Sequence, residues 1–266
     1  MAAFGKAVKH KAPDRLRGAR PFGGRLTRQT ARRALLLEYY AAMLDALGPS
    51  GWWPGDHPVE IAVGAVLVQN TAWRNVEKAL DALRQKDALD LRALCRLPLE
   101  ELEEALRPSG YFRVKARRLR GLCAFLLSLS GNGSAPASAP APSRDLTRLD
   151  FLGSAGTAEL RKALLNVRGV GPETADAILL YALERPTFVA DAYTRRIFSR
   201  HGLVPNAMPY EELRLFFMDA LPVDVPLYNE YHALIVRTGH HFCKKQKPLC
   251  GKCPLGRFME RAGVPE

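Results

Sequence analysis

Apolar residues recur at helical spacing along most of this chain. Leu35, Tyr39, Met43 and Leu47 stand four apart and stop at Gly48-Pro49, and Ile61, Ala65, Val68, Val76, Leu80 and Leu83 continue the pattern. The segment 99–106 follows Pro98, placed here at a first helical position, and carries Glu100 and Glu101 in its first turn, where unpaired amides favour negative charge. Leu119, Leu122, Cys123 and Leu126 form the next stripe, followed by Leu160, Leu164 and Val167, then Ala175, Ile178, Leu179 and Leu183. The apolar run at 188–190 is the main strand-like stretch, and it is too short to compete. The pattern predicts an all-α fold.

Composition narrows the function classes. The 266 residues are 47% hydrophobic and 25% charged, an ordinary globular balance with room for two modest domains. No apolar run approaches the roughly 18 residues of a membrane span, so no membrane partner is expected. The formal net charge of +12 makes a polyanion the first partner to consider. Much of that charge is local: residues 1–33 hold ten Lys and Arg against the single acid Asp14. This basic tail reads as a DNA-touching arm, a solvated arm or an Arg-rich targeting segment. Residues 131–144, GNGSAPASAPAPSR, read as a flexible surface insertion, because Gly, Ser, Ala and Pro bury too little apolar area to offset ordering. A Pro-rich bend is expected at 221–226. Five cysteines, three of them crowded near the C-terminal end, match neither a disulfide scaffold nor a secreted chain, which favours an intracellular setting.

The most informative segment is 164–196. Two helical patterns flank Gly169-Val170-Gly171, where glycines permit a sharp turn and a close ligand, and Val170 is expected to pack between the helices. Amides freed at the start of the second helix can face an anion. Twenty residues after Gly171 comes Asp191, in FVADAYTRR, at a position that also suits a helix N-cap.

LLNVRGVGPETADAIL followed by FVADAYTRR resembles the helix-hairpin-helix GPD superfamily of DNA glycosylases, over roughly residues 52–255. The resemblance implies two helical domains with a DNA cleft between them: a helical barrel over 55–185 that carries the hairpin, and a second domain built from 34–54 and 186–266. It implies Asp191 as the catalytic carboxylate, with Gly169, Val170, Gly171 and Thr174 at the DNA backbone. Gln69, in VLVQNTAW, matches the polar wedge that replaces a flipped nucleotide in the endonuclease III branch, and Tyr111, in PSGYF, matches the loop that touches the orphaned base. The implied partner is damaged double-stranded DNA, bound by a monomer.

Bifunctional members carry a lysine four residues past the first hairpin glycine, and its amine attacks the sugar. Glu173 stands there in this chain, so a monofunctional enzyme is expected. Trp52, Trp53 and Trp73, with PSGYF and the glutamate of GPETADAIL, resemble the 3-methyladenine glycosylases of endonuclease III type, which enclose an alkylated base among aromatic rings. Such rings attract an electron-poor or cationic purine. Oxidised pyrimidines are the substrate alternative, and a damaged-DNA-binding protein without catalysis is the alternative of another class.

Cys243, Cys250 and Cys253 stand as Cys-x6-Cys-x2-Cys, a spacing suited to metal ligation. It resembles the [4Fe-4S] loop of endonuclease III, except that Met259 occupies the place of the fourth cysteine. A [4Fe-4S] cluster with an unusual fourth ligand is the favoured reading, since a zinc site completed by His240 or His241 needs a histidine adjacent in sequence to fold back; zinc and a loop without metal are the alternatives. Cys95 and Cys123 lie in helical patterns and read as core residues.

Overall fold

In the computed structural model, residues 28–130, 146–153 and 155–261 are described, and they are helical with no strand among them. The tail up to residue 27 and the 131–144 insertion lie outside the described residues. The helices are α1 (Arg28–Leu47), α2 (Pro58–Leu67), α3 (Trp73–Arg84), α4 (Leu91–Arg96), α5 (Leu99–Leu106), α6 (Phe112–Leu129), α7 (Thr157–Leu165), α8 (Pro172–Ala177), α9 (Ala192–Arg200), α10 (Tyr210–Met218), α11 (Val225–His241) and α12 (Arg257–Arg261). No helix among the described residues is long and apolar enough to cross a membrane.

Local boundaries follow the residues. α1 ends at Gly48, whose φ of +65° is easily adopted by glycine. Its first turns take in Arg28, Arg32 and Arg33, which the composition had assigned to the tail. Arginine is compatible with a helix, and Arg32 lies over the Phe216 ring, 5.1 Å from its centre, which packs this turn against α10. Pro98 caps α5 rather than opening it: its ψ of 142° is extended, and the helix begins at Leu99. Between α2 and α3 the 61–83 pattern breaks into a turn around Asn70, at φ +56°. The 188–190 run is extended and almost fully buried, with Phe188 stacked on Phe217 at 4.2 Å. Among the described residues it has no strand partner, and it is held by burial and by a backbone hydrogen bond between Ala190 and the Tyr210 hydroxyl.

The helices pack in two groups. α2 to α8 contact one another around α2 and α6, while α1, α9 and α11 form the second group. The groups meet where α11 crosses the end of the hairpin helix and where α10 approaches α8. At the second junction, Asp176 is wholly buried. It accepts from Arg161 Nε at 2.8 Å and Nη2 at 3.0 Å, from Thr187 Oγ1 at 2.9 Å and from the Tyr210 hydroxyl at 2.9 Å. Arg161 also pairs with Glu211 at 2.7 Å. One carboxylate thereby ties α7, α8, the 187–190 segment and α10 together, with its oxygens satisfied as a buried charge requires.

Replacing Asp176 by alanine takes the buried acceptor from Arg161, Thr187 and Tyr210, so urea denaturation should show a loss of about 3–5 kcal/mol. A change below about 1 kcal/mol would mean the network contributes little beyond packing.

Candidate active site

Asp191 caps α9. Its Oδ1 accepts from the Thr194 N–H at 2.7 Å and from Thr194 Oγ1 at 2.8 Å. Its Oδ2 lies 3.8 Å from Nε2 of His232 on α11, an ion-pairing distance too long for a direct hydrogen bond. Burial by itself would raise the carboxyl pKa, but His232 and the two Thr194 donors outweigh it and hold the group below the ordinary aspartate value. The side chain is still 12% exposed. An ionised, nearly enclosed carboxylate at a helix N-terminus is the chemistry of this site.

The opposite edge of His232 is also held. Its Nδ1 forms a buried hydrogen bond with the Tyr181 hydroxyl. Tyr181 lies in a π-helical turn, Ile178–Ala182, that continues α8, and burial raises its pKa well above the usual phenol value. α9 and α11 approach closely because Gly239 has no side chain: a Cβ there would overlap the Tyr193 ring.

An aromatic wall extends from this pair. Trp53 meets Tyr181 at 5.1 Å between ring centres, Trp73 at 5.1 Å and Trp52 at 5.0 Å, and Trp52 meets Trp73 at 4.9 Å. The three tryptophans are thus gathered as a half-buried cluster, but they cross at 56–90° rather than forming a parallel sandwich. Gly64 lets the Trp53 indole lie directly on α2. Glu230 anchors the preceding loop, accepting from the Ser50 N–H at 2.7 Å and its hydroxyl at 2.9 Å. The indole N–H groups of Trp52 and Trp53 are shielded and lack a hydrogen-bond partner among the described residues.

The hairpin turns at Gly169, φ +90°, where a Cβ would collide with the Arg118 side chain. Val170 is buried between the helices, and Gly171 caps α8 on the exposed side. Glu173 is exposed at the start of α8, yet its carboxyl is raised by the surrounding cleft and by Asp191, with His232 and Arg195 opposing.

Gln69 and Thr174 behave differently from two independent DNA contacts. Thr174 is buried, and its hydroxyl oxygen accepts from Gln69 Nε2 at 2.8 Å. Gln69 Oε1 accepts from Arg118 at 2.5 Å, so the wedge candidate is bound to the hairpin and to α6. Asn70, next along, is exposed. Tyr111 is 74% exposed in the left-handed conformation, φ +46°, an uncommon setting for so large an apolar ring. The Gln69 and Tyr111 loops are joined by buried Lys115, whose Nζ donates to the Leu67 carbonyl at 2.8 Å and the Ser109 carbonyl at 2.6 Å. Burial, with Arg118 nearby, lowers its pKa to about 8.

Sequence reasoning did not single out His232, Tyr181, Lys115, Arg118 or Glu230 as site residues. The available signal was a polar residue on an apolar helical face: His232 lies among buried Tyr228, Tyr231, Leu234 and Ile235. That pattern marks burial but does not name a partner.

The cysteine loop is pinned to α9. Arg200 donates to Cys243 Sγ at 3.3 Å and to the carbonyls of Lys244 and Lys245, and Arg196 donates to the Cys243 carbonyl at 2.8 Å. Cys243 is buried, Cys253 half-buried and Cys250 exposed. Cys243 and Cys250 both contribute to raising the Cys253 pKa, though burial contributes most. His240 and His241 pack on each other, exposed. Among the described residues, no group of three or more His, Cys, Asp or Glu is gathered closely enough to hold a metal ion, and the zinc alternative finds no histidine in such a group. The loop carries three thiols, Cys243, Cys250 and Cys253, and no fourth.

Residues 63–222 match the HhH-GPD superfamily base excision DNA repair protein family. The chain belongs to that superfamily, as a base excision DNA repair glycosylase. A Methanocaldococcus jannaschii protein described as a DNA repair glycosylase is 40% identical over 84% of this chain and 95% of its own length. Among solved structures, an endonuclease III in a non-covalent DNA complex shares the fold at TM-score 0.66 and 24% identity, covering 89% of this chain and 97% of its own. The H. pylori 3-methyladenine DNA glycosylase MagIII, bound to 1,N6-ethenoadenine, gives TM-score 0.61 at 26% identity over 79% of this chain and 97% of its own.

Lys115→Met should free both loops. Hydrogen exchange at 69–71 and 109–111 should accelerate by about tenfold or more while α7 and α10 stay protected; equal protection throughout would remove the linking role assigned to this amine.

Proposed function

We propose that this enzyme is a monofunctional glycosylase acting on alkylated purines such as 3-methyladenine in double-stranded DNA. The observation that carries the proposal is the ionised Asp191 at the end of an aromatic wall, with Glu173 in place of a lysine.

The chemistry follows from those groups. The target nucleotide leaves the helical stack at a cost of a few kcal/mol, with Asn70 and Tyr111 exposed where they can fill the gap and meet the orphaned base. Gly169, Val170 and Gly171 bring backbone amides toward the phosphates. A methylated purine is already cationic, so the indole and phenol rings favour it, and it departs without a strong general acid. As the N-glycosidic bond breaks, its electron pair leaves with the base, and positive charge on the sugar is stabilised by Asp191. Water then adds to the sugar carbon and gives up a proton, leaving an abasic site. Glu173 has no amine, so no Schiff base forms and the strand stays intact. Similarity to MagIII, which binds the modified adenine 1,N6-ethenoadenine, supports the purine preference.

Cys243, Cys250 and Cys253 would hold a [4Fe-4S] cluster through three thiolates, with a fourth ligand that is not cysteine. Such a group fastens the loop that presents Lys244, Lys245, Lys247 and Lys252, and supplies no step of the glycosidic chemistry.

Free base should be released from methylated duplex without strand cleavage, and Asp191→Asn should slow single turnover by on the order of 10²–10³-fold. Borohydride should trap no adduct. Release from duplex with oxidised pyrimidine alone would move the substrate to that class, and no release from any lesion would leave only damaged-DNA binding.

Anaerobically purified protein should contain iron and show thiolate-to-iron absorbance in the visible, both lost in Cys250→Ala. Iron-free protein with full base release and normal unfolding would remove the cluster from the proposal.

A further inference from the structure

His232 is 7% exposed, and the two edges of its ring face different partners. Nδ1 is engaged by Tyr181, while Nε2 has no hydrogen-bond partner among the described residues and faces Asp191 Oδ2 across 3.8 Å. The Tyr181 phenol remains protonated at all working pH values, because burial raises its pKa far above 10. A protonated hydroxyl can donate to Nδ1 or accept from it; facing the Asp191 carboxylate favours the form in which the hydroxyl donates to Nδ1 and the ring carries its proton on Nε2. The opposite tautomer would set a nitrogen lone pair against the carboxylate. This assignment rests on partner chemistry, since hydrogens are not seen directly.

We propose that His232 Nε2–H and Asp191 Oδ2 together hold the attacking water of the glycosylase reaction, with His232 as the positioning residue and Tyr181 fixing its tautomer. The inference rests on the glycosylase reading of Asp191. A separation of 3.8 Å is too long for the two groups to satisfy each other, and because Nε2 is almost wholly shielded from solvent, one water reaches both only when the side chains part slightly as the cleft is occupied. The water accepts from Nε2–H and donates to Oδ2, which leaves a lone pair free to form the bond to the sugar carbon. In the reaction, that carbon–oxygen bond forms and the glycosidic bond breaks. Its electron pair goes to the departing base, and the water proton goes to Asp191. No further reactant is needed.

The same geometry makes a pH prediction. The groups around the pair are Glu173 from α8, Arg195 from α9, Tyr181 from the π-helical turn and Glu230 on α11. Activity requires ionised Asp191, so it is full above that group's pKa and falls as pH drops through it. Burial pushes this pKa up, and His232 is the first of the groups that bring it below the ordinary aspartate value. Removing His232 should therefore carry the acid limb of the rate profile to higher pH.

Single-turnover release of base from methylated duplex, with duplex affinity measured separately, tests this in His232→Leu, His232→Gln, Tyr181→Phe and Asp191→Asn. His232→Leu should be slowed by about 10²-fold with affinity within about twofold, and its acid limb should rise. His232→Gln, which retains an N–H donor, should recover part of the rate. Tyr181→Phe, which keeps the ring but releases the tautomer, should lose about tenfold. A merely structural role for His232 would leave the acid limb in place. Asp191→Asn inactive while His232→Leu retains rate within about threefold, with an unmoved limb, overturns the inference and leaves the glycosylase reading intact. Active Asp191→Asn overturns that underlying reading instead. Should His232→Leu fail to fold, wild-type rates in both His232→Gln and Tyr181→Phe overturn the inference.

Discussion

A carboxylate at the edge of a nearly closed cleft keeps its charge only if its surroundings offset the lost hydration, and the site is organised around meeting that demand for Asp191. Thr194 supplies two donors from the first turn of α9, and His232 supplies a polar edge from α11. Each comes from a different source. Thr194 is local, as in any capped helix, whereas His232 reaches the aspartate only because α9 and α11 lie close at Gly239. The cap accounts for the helix start, and the crossing of the two helices accounts for the charge environment.

That crossing depends on how the two helical groups are fastened. Asp176 joins α7 and α8 to α10 with a fully satisfied buried charge, and the Tyr181 hydroxyl joins the hairpin helix to α11. α11 serves three parts of the site: Glu230 steadies the loop before the tryptophans, His232 faces the aspartate, and Arg237 donates to the Leu47 and Gly48 carbonyls at the end of α1. Lys115 performs a similar task on the other wall, where one amine holds the turns bearing Gln69 and Tyr111. Motion of either wall would separate the loops bearing Gln69 and Tyr111 from the carboxylate, and at reacting distances a displacement of about 1 Å is costly to rate.

Gln69 joins the hairpin to α6. Its amide is committed at both ends, to Thr174 and to Arg118, so it braces the hairpin while Asn70 stands exposed beside it. The cysteine loop presents a related case. Its three thiols share a loop held by Arg196 and Arg200, and the residue at the fourth spacing is a thioether, a weak ligand next to a thiolate.

Features with a local cause were legible along the chain. The 3.6-residue period set the helices, the Gly169-Val170-Gly171 pattern marked the hairpin because the turn at Gly169 needs a residue without Cβ, and Asp191 stood both at cap position and at the motif's distance from that turn. The tryptophans were legible as types, though not in their edge-to-face contact. What only the tertiary structure decided are the pairings between distant segments: Tyr181 with His232, His232 with Asp191, Glu230 with Ser50, and Lys115 with two carbonyls. Periodicity reports which face of a helix is buried, since that depends on the residue's own neighbours. It is silent on which other helix covers that face, because this is set by the packing of the whole chain.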